Sequence, residues 1–227
     1  MTYLGDTMTD WLDDEELEEI CKEAEQGDAA LQNDLGEYYD FGGDGPNNFK
    51  LAVQWYTLSA GQGHAVAQYN LAYCFYFGQG VPQSYKSALE LFTLSAEQGH
   101  RFAQADLGVM YENGDGISQS YELAIQWYTL SAKQGCDTAQ NFLGTLYQRG
   151  EGVLKDYIQA YMWYELASYN GSEAGSRNKE GIANQMTSAD IVSAQDNAKI
   201  CLKSRYKDYP HIHWKTGVPA LQVARSY

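Results

Sequence analysis

The segments LAVQWYTLSAGQG (residues 51–63), SALELFTLSAEQG (87–99) and LAIQWYTLSAKQG (123–135) are near-copies spaced 36 residues apart. A weaker copy, QAYMWYELASYNG, occupies 159–171, and CKEAEQG at 21–27 keeps only the end of the pattern. Other slots hold the same phase: Ala52, Ala88, Ala124 and Ala160; Leu35, Leu71, Leu107 and Leu143; Gly42, Gly78, Gly114 and Gly150. A fixed period of this length marks a stack of similar supersecondary units, none of which can bury its apolar face alone.

Each period describes two antiparallel helices. In the second copy Ala67, Leu71, Ala72 and Phe75 recur at spacings of three and four, on one face of a first helix, helix A. Gly36, Ala72, Gly108 and Gly144 share a slot whose lack of bulk admits a neighbouring helix, despite the propensity cost of glycine. Gly78, Gly114 and Gly150 are placed to close helix A in the left-handed conformation, and in the second copy the loop GQGVPQ follows. Helix B begins after Asn48, Ser84, Ser120 and Asp156, four side chains that accept hydrogen bonds from the free amides of a first turn. Along it Trp55, Leu91, Trp127 and Trp163 repeat in phase with the alanines, which assigns them to the core rather than to a ligand. The predicted helix pairs are 28–41 with 49–61, 64–77 with 85–97, 100–113 with 121–133, and 136–149 with 157–169, with no β-sheet.

The ends differ, because a terminal repeat has one face without a neighbour. Residues 13–26 read as an acidic amphipathic cap with Leu17, Ile20 and Ala24 inward. Residues 173–185 read as a polar helix, and Thr187 with Asp190 has capping-box spacing before a final helix to about Lys203. Residues 206–227, with two prolines, one glycine and no helical period, read as an extended tail. The expected organisation is therefore an acidic segment and cap (1–27), four repeats (28–171), capping helices (172–205) and a tail (206–227).

A formal charge of -15 and the lack of any lysine or arginine cluster argue against nucleic acid and against membrane surfaces. The charge is uneven: residues 1–44 hold 15 acids and one base, whereas residues 155–227 hold nine bases and seven acids. The opening MTYLGDTMTDWLDDEELEEI lacks the basic and apolar regions of a secretory signal, so a cytoplasmic location is expected unless a specialised secretion route operates. Cys21, Cys74, Cys136 and Cys201 show no CxxC spacing and read as idle thiols rather than a zinc site or disulfide staple.

The order small residue, leucine, glycine, aromatic, then GxG, a capping polar residue, alanine and WY…A…G resembles the Sel-one-like repeat, a branch of the tetratricopeptide superfamily. The resemblance covers about Cys21 to Gly171. The plain tetratricopeptide repeat has a period of about 34 and lacks the glycine-rich loop. MTSADIVSAQDNAK is similar to the closing helix of bacterial members. Departures are Asp44 where GxG is expected in the first repeat, and Tyr161 and Met162 beside the alanine of the fourth. The resemblance implies an all-α, right-handed superhelical solenoid of about four repeats with capping helices. It also implies that helix A residues line a concave surface used for protein binding and scaffolding.

No HExxH, P-loop, GxSxG or dinucleotide fingerprint is present, so neither an enzyme nor a cofactor is expected. The GxG pairs precede capped helices as phosphate loops do, but their recurrence in successive units assigns them to turns. His64 and His100 share a slot and could meet at a metal only if adjacent repeats brought them together; otherwise they are polar loop positions. His211 and His213 alternate in the tail and are surface bystanders or weak chelators. The acidic run 13–19 lacks the spacing of a calcium loop and reads as a solvated face. No metal site is therefore assigned.

The expected function is an adaptor or scaffold that binds a peptide or protein surface. Alternatives are a secreted or translocated regulator acting on a foreign protein, and a cell-wall or β-lactam hydrolase, against which the missing export signal and nucleophile motif tell. By the tetratricopeptide analogy the contacts are helix A side chains facing away from the core: Asn33, Glu37, Asp40, Tyr69, Tyr73, Tyr76, Glu112, Asn113, Asn141, Thr145, Gln148 and Arg149. These are slots where the copies disagree, as expected where stacking does not dictate the residue. Three tyrosines flanked by Glu37, Asp40 and Glu112 suit a basic partner with apolar anchors. The tail joins Lys207, Lys215 and Arg225 to Ile212, Trp214, Val218 and Leu221, and its 22 residues span roughly 70 Å when extended, so self-binding and autoinhibition are expected of it.

Overall fold

The computed structural model describes residues 14–42, 48–204 and 206. Among them all regular structure is helical: α1 (Asp14–Glu25), α2 (Ala29–Asp40), α3 (Phe49–Gly61), α4 (Ala65–Phe77), α5 (Tyr85–Glu97), α6 (Arg101–Asn113), α7 (Tyr121–Ala132), α8 (Asp137–Arg149), α9 (Tyr157–Tyr169), α10 (Glu173–Ala183) and α11 (Ser188–Lys203). Helix A of the four repeats is α2, α4, α6 and α8, and helix B is α3, α5, α7 and α9. Each A packs on its own B and each B on the next A, so the chain is an α-solenoid. After α9, α10 takes the place of a further helix A, and α11 turns back to pack along α9. The helix limits lie within one residue of those predicted for the four repeats.

The caps explain these limits. Asn48, Ser84, Ser120 and Asp156 accept amide hydrogen bonds from the first turns of α3, α5, α7 and α9. The residues before α2, α4, α6 and α10 share a second capping slot, in which Asp28 and Ser172 cap through oxygen, whereas Cys136 before α8 makes no such bond. His64 and His100 occupy the same slot and cap through Nδ1, which accepts from Ala67 at 3.4 Å and Ala103 at 3.2 Å. This gives both histidines a role that neither the polar-loop reading nor the metal-pair reading of the sequence had named. Thr187 and Asp190 form the reciprocal capping box expected of them. Gly78, Gly114 and Gly150 lie at φ 74–79°, closing helix A as predicted.

The core departs from expectation in one slot. Trp127 and Trp163 are buried, but Trp55 and Leu91 are only partly so. The aromatic fully inside every repeat is the next residue: Tyr56, Phe92, Tyr128 and Tyr164. It lies against the small-residue slot of the preceding helix A. A Cβ added at Gly36, Gly108 or Gly144 would come within 2.4–2.6 Å of the ring of Tyr56, Tyr128 or Tyr164. Where that slot is alanine, at Ala72, the ring is phenylalanine. Trp163 is covered because α11 places Ala194, Ala198 and Cys201 in the same core.

Two polar ladders cross this core. Ser59, Ser95 and Ser131 donate to the carbonyls of Ala29, Ala65 and Arg101 at 2.6–2.7 Å, tying each helix B to the start of its own helix A. Gln32, Gln68, Gln104 and Gln140 each donate to the carbonyl eight residues earlier and accept from Gln62, Gln98, Gln134 and Asn170 respectively. These buried amides are thus satisfied on both sides, as burial requires.

Ala24 of α1 is fully buried, with Leu17 and Ile20 partly so. None of the four cysteines is in a disulfide, and three are buried; burial, then Asp40, pushes Cys74 up to about 12, which keeps it inert. Tyr206, where the tail was expected to begin, is anchored: its amide donates to Cys201 and its hydroxyl accepts from Asn170 at 2.6 Å. Residues 207–227, Asp44 and the acidic residue Asp13 lie outside the described residues, as do His211 and His213.

Candidate protein-binding surface

The A helices expose one common side, the helix A face, and most of the residues predicted there are engaged within the chain. Asn33 was expected to point away from the core but is only 4% exposed. Asn70 of the next repeat donates to Asn33 and Glu37, both at 3.1 Å, and Asn33 donates to Glu37 at 3.0 Å. Asn178 donates to Asn141 in the corresponding way at 2.9 Å. Asp40, Glu112 and Gln148 accept from the hydroxyls of the buried Tyr56, Tyr128 and Tyr164 at 3.4, 2.7 and 2.6 Å. Thr145 shares a hydrogen bond with Tyr164, Asn113 donates to Asp115, and Arg149 pairs with Glu151 at 3.7 Å. The polar choice at positions 40, 112 and 148 thus answers the tyrosine behind it as well as the solvent before it.

The second repeat breaks this arrangement. Phe92 has no hydroxyl, and position 76, where the acceptor would stand, is Tyr76, whose hydroxyl donates instead to Asp115 at 2.7 Å. The result is a cavity of about 260 Å³ lined by Tyr73, Tyr76, Phe77, Phe92, Asp106 and Val109. Tyr73 meets Phe92 edge-on at 5.9 Å and lies 5.3 Å from Phe77, which in turn contacts Tyr76 at 4.9 Å. Phe77 is more than half exposed. Tyr69 sits beside the cavity, its ring tilted against those of Tyr73 at 5.2 Å and His100 at 4.7 Å, and its hydroxyl faces Asp106. Burial raises the Asp106 carboxyl to about 6, with the Tyr69 hydrogen bond opposing.

Asp106 and Phe77 escaped the sequence reading, although both belong to variable slots: Asp34, Asn70, Asp106 and Phe142, and Phe41, Phe77, Asn113 and Arg149. Nothing in the sequence set the first slot apart from solvated surface. Further along the face a polar cavity of about 520 Å³ includes Thr145, Gln148, Arg149 and Lys155. The face therefore runs from the carboxylates of α2, through the aromatic cavity, to two cations at the end of α8.

The Sel1 repeat model matches residues 29–64, 65–100, 101–136 and 137–172, four units in register with the helix pairs. The chain belongs to the Sel1 repeat family. Among solved structures, this Sel1 repeat protein is similar to a protective antigen of uropathogenic Escherichia coli displaying an SLR fold, at 32% identity and a TM-score of 0.73. The match covers 82% of this chain but only 41% of the antigen's. A Sel1 repeat protein from Oxalobacter formigenes matches at 30% identity and a TM-score of 0.70, over 84% of this chain and 75% of that one. No curated protein matches. Sel1 repeats generally mediate protein–protein interaction, and scaffolds built from them are generally non-catalytic. No helix among the described residues is long and apolar enough to cross a membrane.

Proposed function

We propose that this Sel1 repeat protein is an adaptor whose helix A face holds a segment of another protein, with the second repeat as the anchor point. The observation that carries this reading is the aromatic cavity beside Tyr69, Tyr73 and Tyr76. Tyrosines around a partly open apolar recess offer large contact area at low entropic cost, the composition of interface hot spots. Carboxylates stand on both sides, Glu37 and Asp40 toward the amino end, and Glu112 and Asp115 toward the other. They favour a partner carrying lysine or arginine beside apolar groups and steer its approach.

The test is selection of peptides from a random library on the full chain, followed by affinity measurement with the selected sequences. The expected sequences join basic to apolar residues, and Tyr73→Ala combined with Tyr76→Ala should weaken them at least tenfold with the helical circular dichroism unchanged. Full affinity in that double variant would remove the face as the binding site.

A further inference from the structure

We propose that the cavity between α4, α5 and α6 is a lysine pocket: the aliphatic stem of a partner's lysine lies against Tyr73, Phe77 and Phe92, and its ammonium meets Asp106. This inference rests on the reading of the helix A face as a protein-binding surface and names the group that the face selects.

Four aromatic rings and one carboxylate line the recess, and no basic side chain is among the lining residues. Aromatic faces attract a cation through their quadrupole, and a desolvated carboxylate completes the counter-charge. None of the ion pairs among the described residues includes Asp106. Asp106 is partly buried and partly desolvated, so an incoming ammonium has more to gain here than at a fully solvated acid. The stoichiometry favours lysine over arginine. The Tyr69 hydroxyl already faces Asp106, which leaves room for a point charge better than for the two parallel contacts of a guanidinium. The recess opens where the second repeat, with its Phe92, meets α6 of the third. In the other repeats a tyrosine hydroxyl and its acceptor occupy the equivalent place, as Tyr128 and Glu112 do at 2.7 Å.

Charge on Asp106 sets the pH response. The groups facing it are Tyr69, Tyr73 and Tyr76 of α4 and Tyr128 of α7, and each of these tyrosines is raised above its ordinary value, first by burial, so all stay neutral below pH 9. His100, tilted against the Tyr69 ring at 4.7 Å, has its pKa lowered by burial and then by Arg101. With Asp106 titrating at about 6, the ionised form that holds an ammonium is the majority at pH 7.5 and a minority at pH 5.

The experiment titrates the full chain with N-acetyl-lysine N-methylamide and with the uncharged N-acetyl-norleucine N-methylamide, following aromatic proton shifts. At pH 7.5 the lysine probe should bind at least tenfold more tightly than the norleucine probe, and at pH 5 its affinity should fall about tenfold, the loss of ionised fraction of one such group. Asp106→Asn should abolish the preference while the protein stays folded. Phe92→Tyr, which installs the ring of the other repeats, should weaken the lysine probe. His100→Asn, a capping replacement, should leave the pH response in place. Equal binding of the two probes, or a lysine preference that survives Asp106→Asn, overturns the pocket. If library peptides still lose affinity in the Tyr73 and Tyr76 double variant while the probes show no lysine preference, the face stands and the lysine pocket falls.

Discussion

The second repeat and its three siblings share the same helix pairs, helix B caps and glutamine ladder, yet they differ at three linked positions. In the siblings a glycine on helix A admits a buried tyrosine, and an acceptor one turn further on holds its hydroxyl: Gly36, Tyr56 and Asp40; Gly108, Tyr128 and Glu112; Gly144, Tyr164 and Gln148. The second repeat has Ala72, Phe92 and Tyr76 there, and opens a cavity. The three positions therefore vary together as one unit. Losing the hydroxyl frees the acceptor slot for a ring, and the space left over becomes a feature of the surface.

The largest effect is expected at Gly108. Alanine there would place its Cβ 2.6 Å from the ring of the fully buried Tyr128, and the overpacking should cost roughly 2–3 kcal/mol in urea denaturation. Adding Tyr128→Phe, which recreates the second repeat's pairing, should recover part of that loss because the ring is no longer tethered to Glu112. A double-mutant cycle that is simply additive would show that the positions are independent.

Tyr128→Phe alone is expected to have a smaller effect, about 1–2 kcal/mol, because it leaves Glu112 without its 2.7 Å donor. Retained stability would mean that water replaces the hydroxyl at no cost.

The smallest change sharpens the contrast from the other side. Asp106→Asn should stabilise the protein by roughly 1 kcal/mol at pH 7 and by much less at pH 4. The folded carboxyl titrates near 6, above its unfolded value, so the native state binds the extra proton between the two. Stability from this group therefore falls as pH rises through that interval, and the deficit is complete above it. Thermal melts at the two pH values check this, and a variant less stable than the parent at pH 7 would contradict it.

Much of the fold was legible because the 36-residue phase repeats every physical decision several times. Caps, closing glycines and core faces could each be read against their copies, and the helix limits followed. Depth was not legible in the same way. Tryptophan and the aromatic after it lie about 100° apart on one helix, and both are apolar, so the pattern could not say which goes deeper; the contact with Gly36, Gly108 and Gly144 decides it. The candidate site was less legible still. The burial of Asp106 is imposed by Tyr69 and Tyr73 of the preceding repeat, and variability at Asp40, Glu112 and Gln148 reflected hydroxyl partners hidden behind them.

The glutamine ladder also bears on how such a chain changes length. Every rung joins residues at fixed offsets, eight back and thirty forward, and no rung reaches beyond its neighbours. If residues 101–136 were excised, Gln140 would meet the Ala96 carbonyl in place of Ala132 and keep Asn170 as its donor. The splice would leave no buried amide stranded, whereas removing half as many residues would strand several. The molecule is in this sense discrete: it can lengthen or shorten by whole periods with its interior intact, and a three-repeat version should melt cooperatively where a three-and-a-half-repeat version should not.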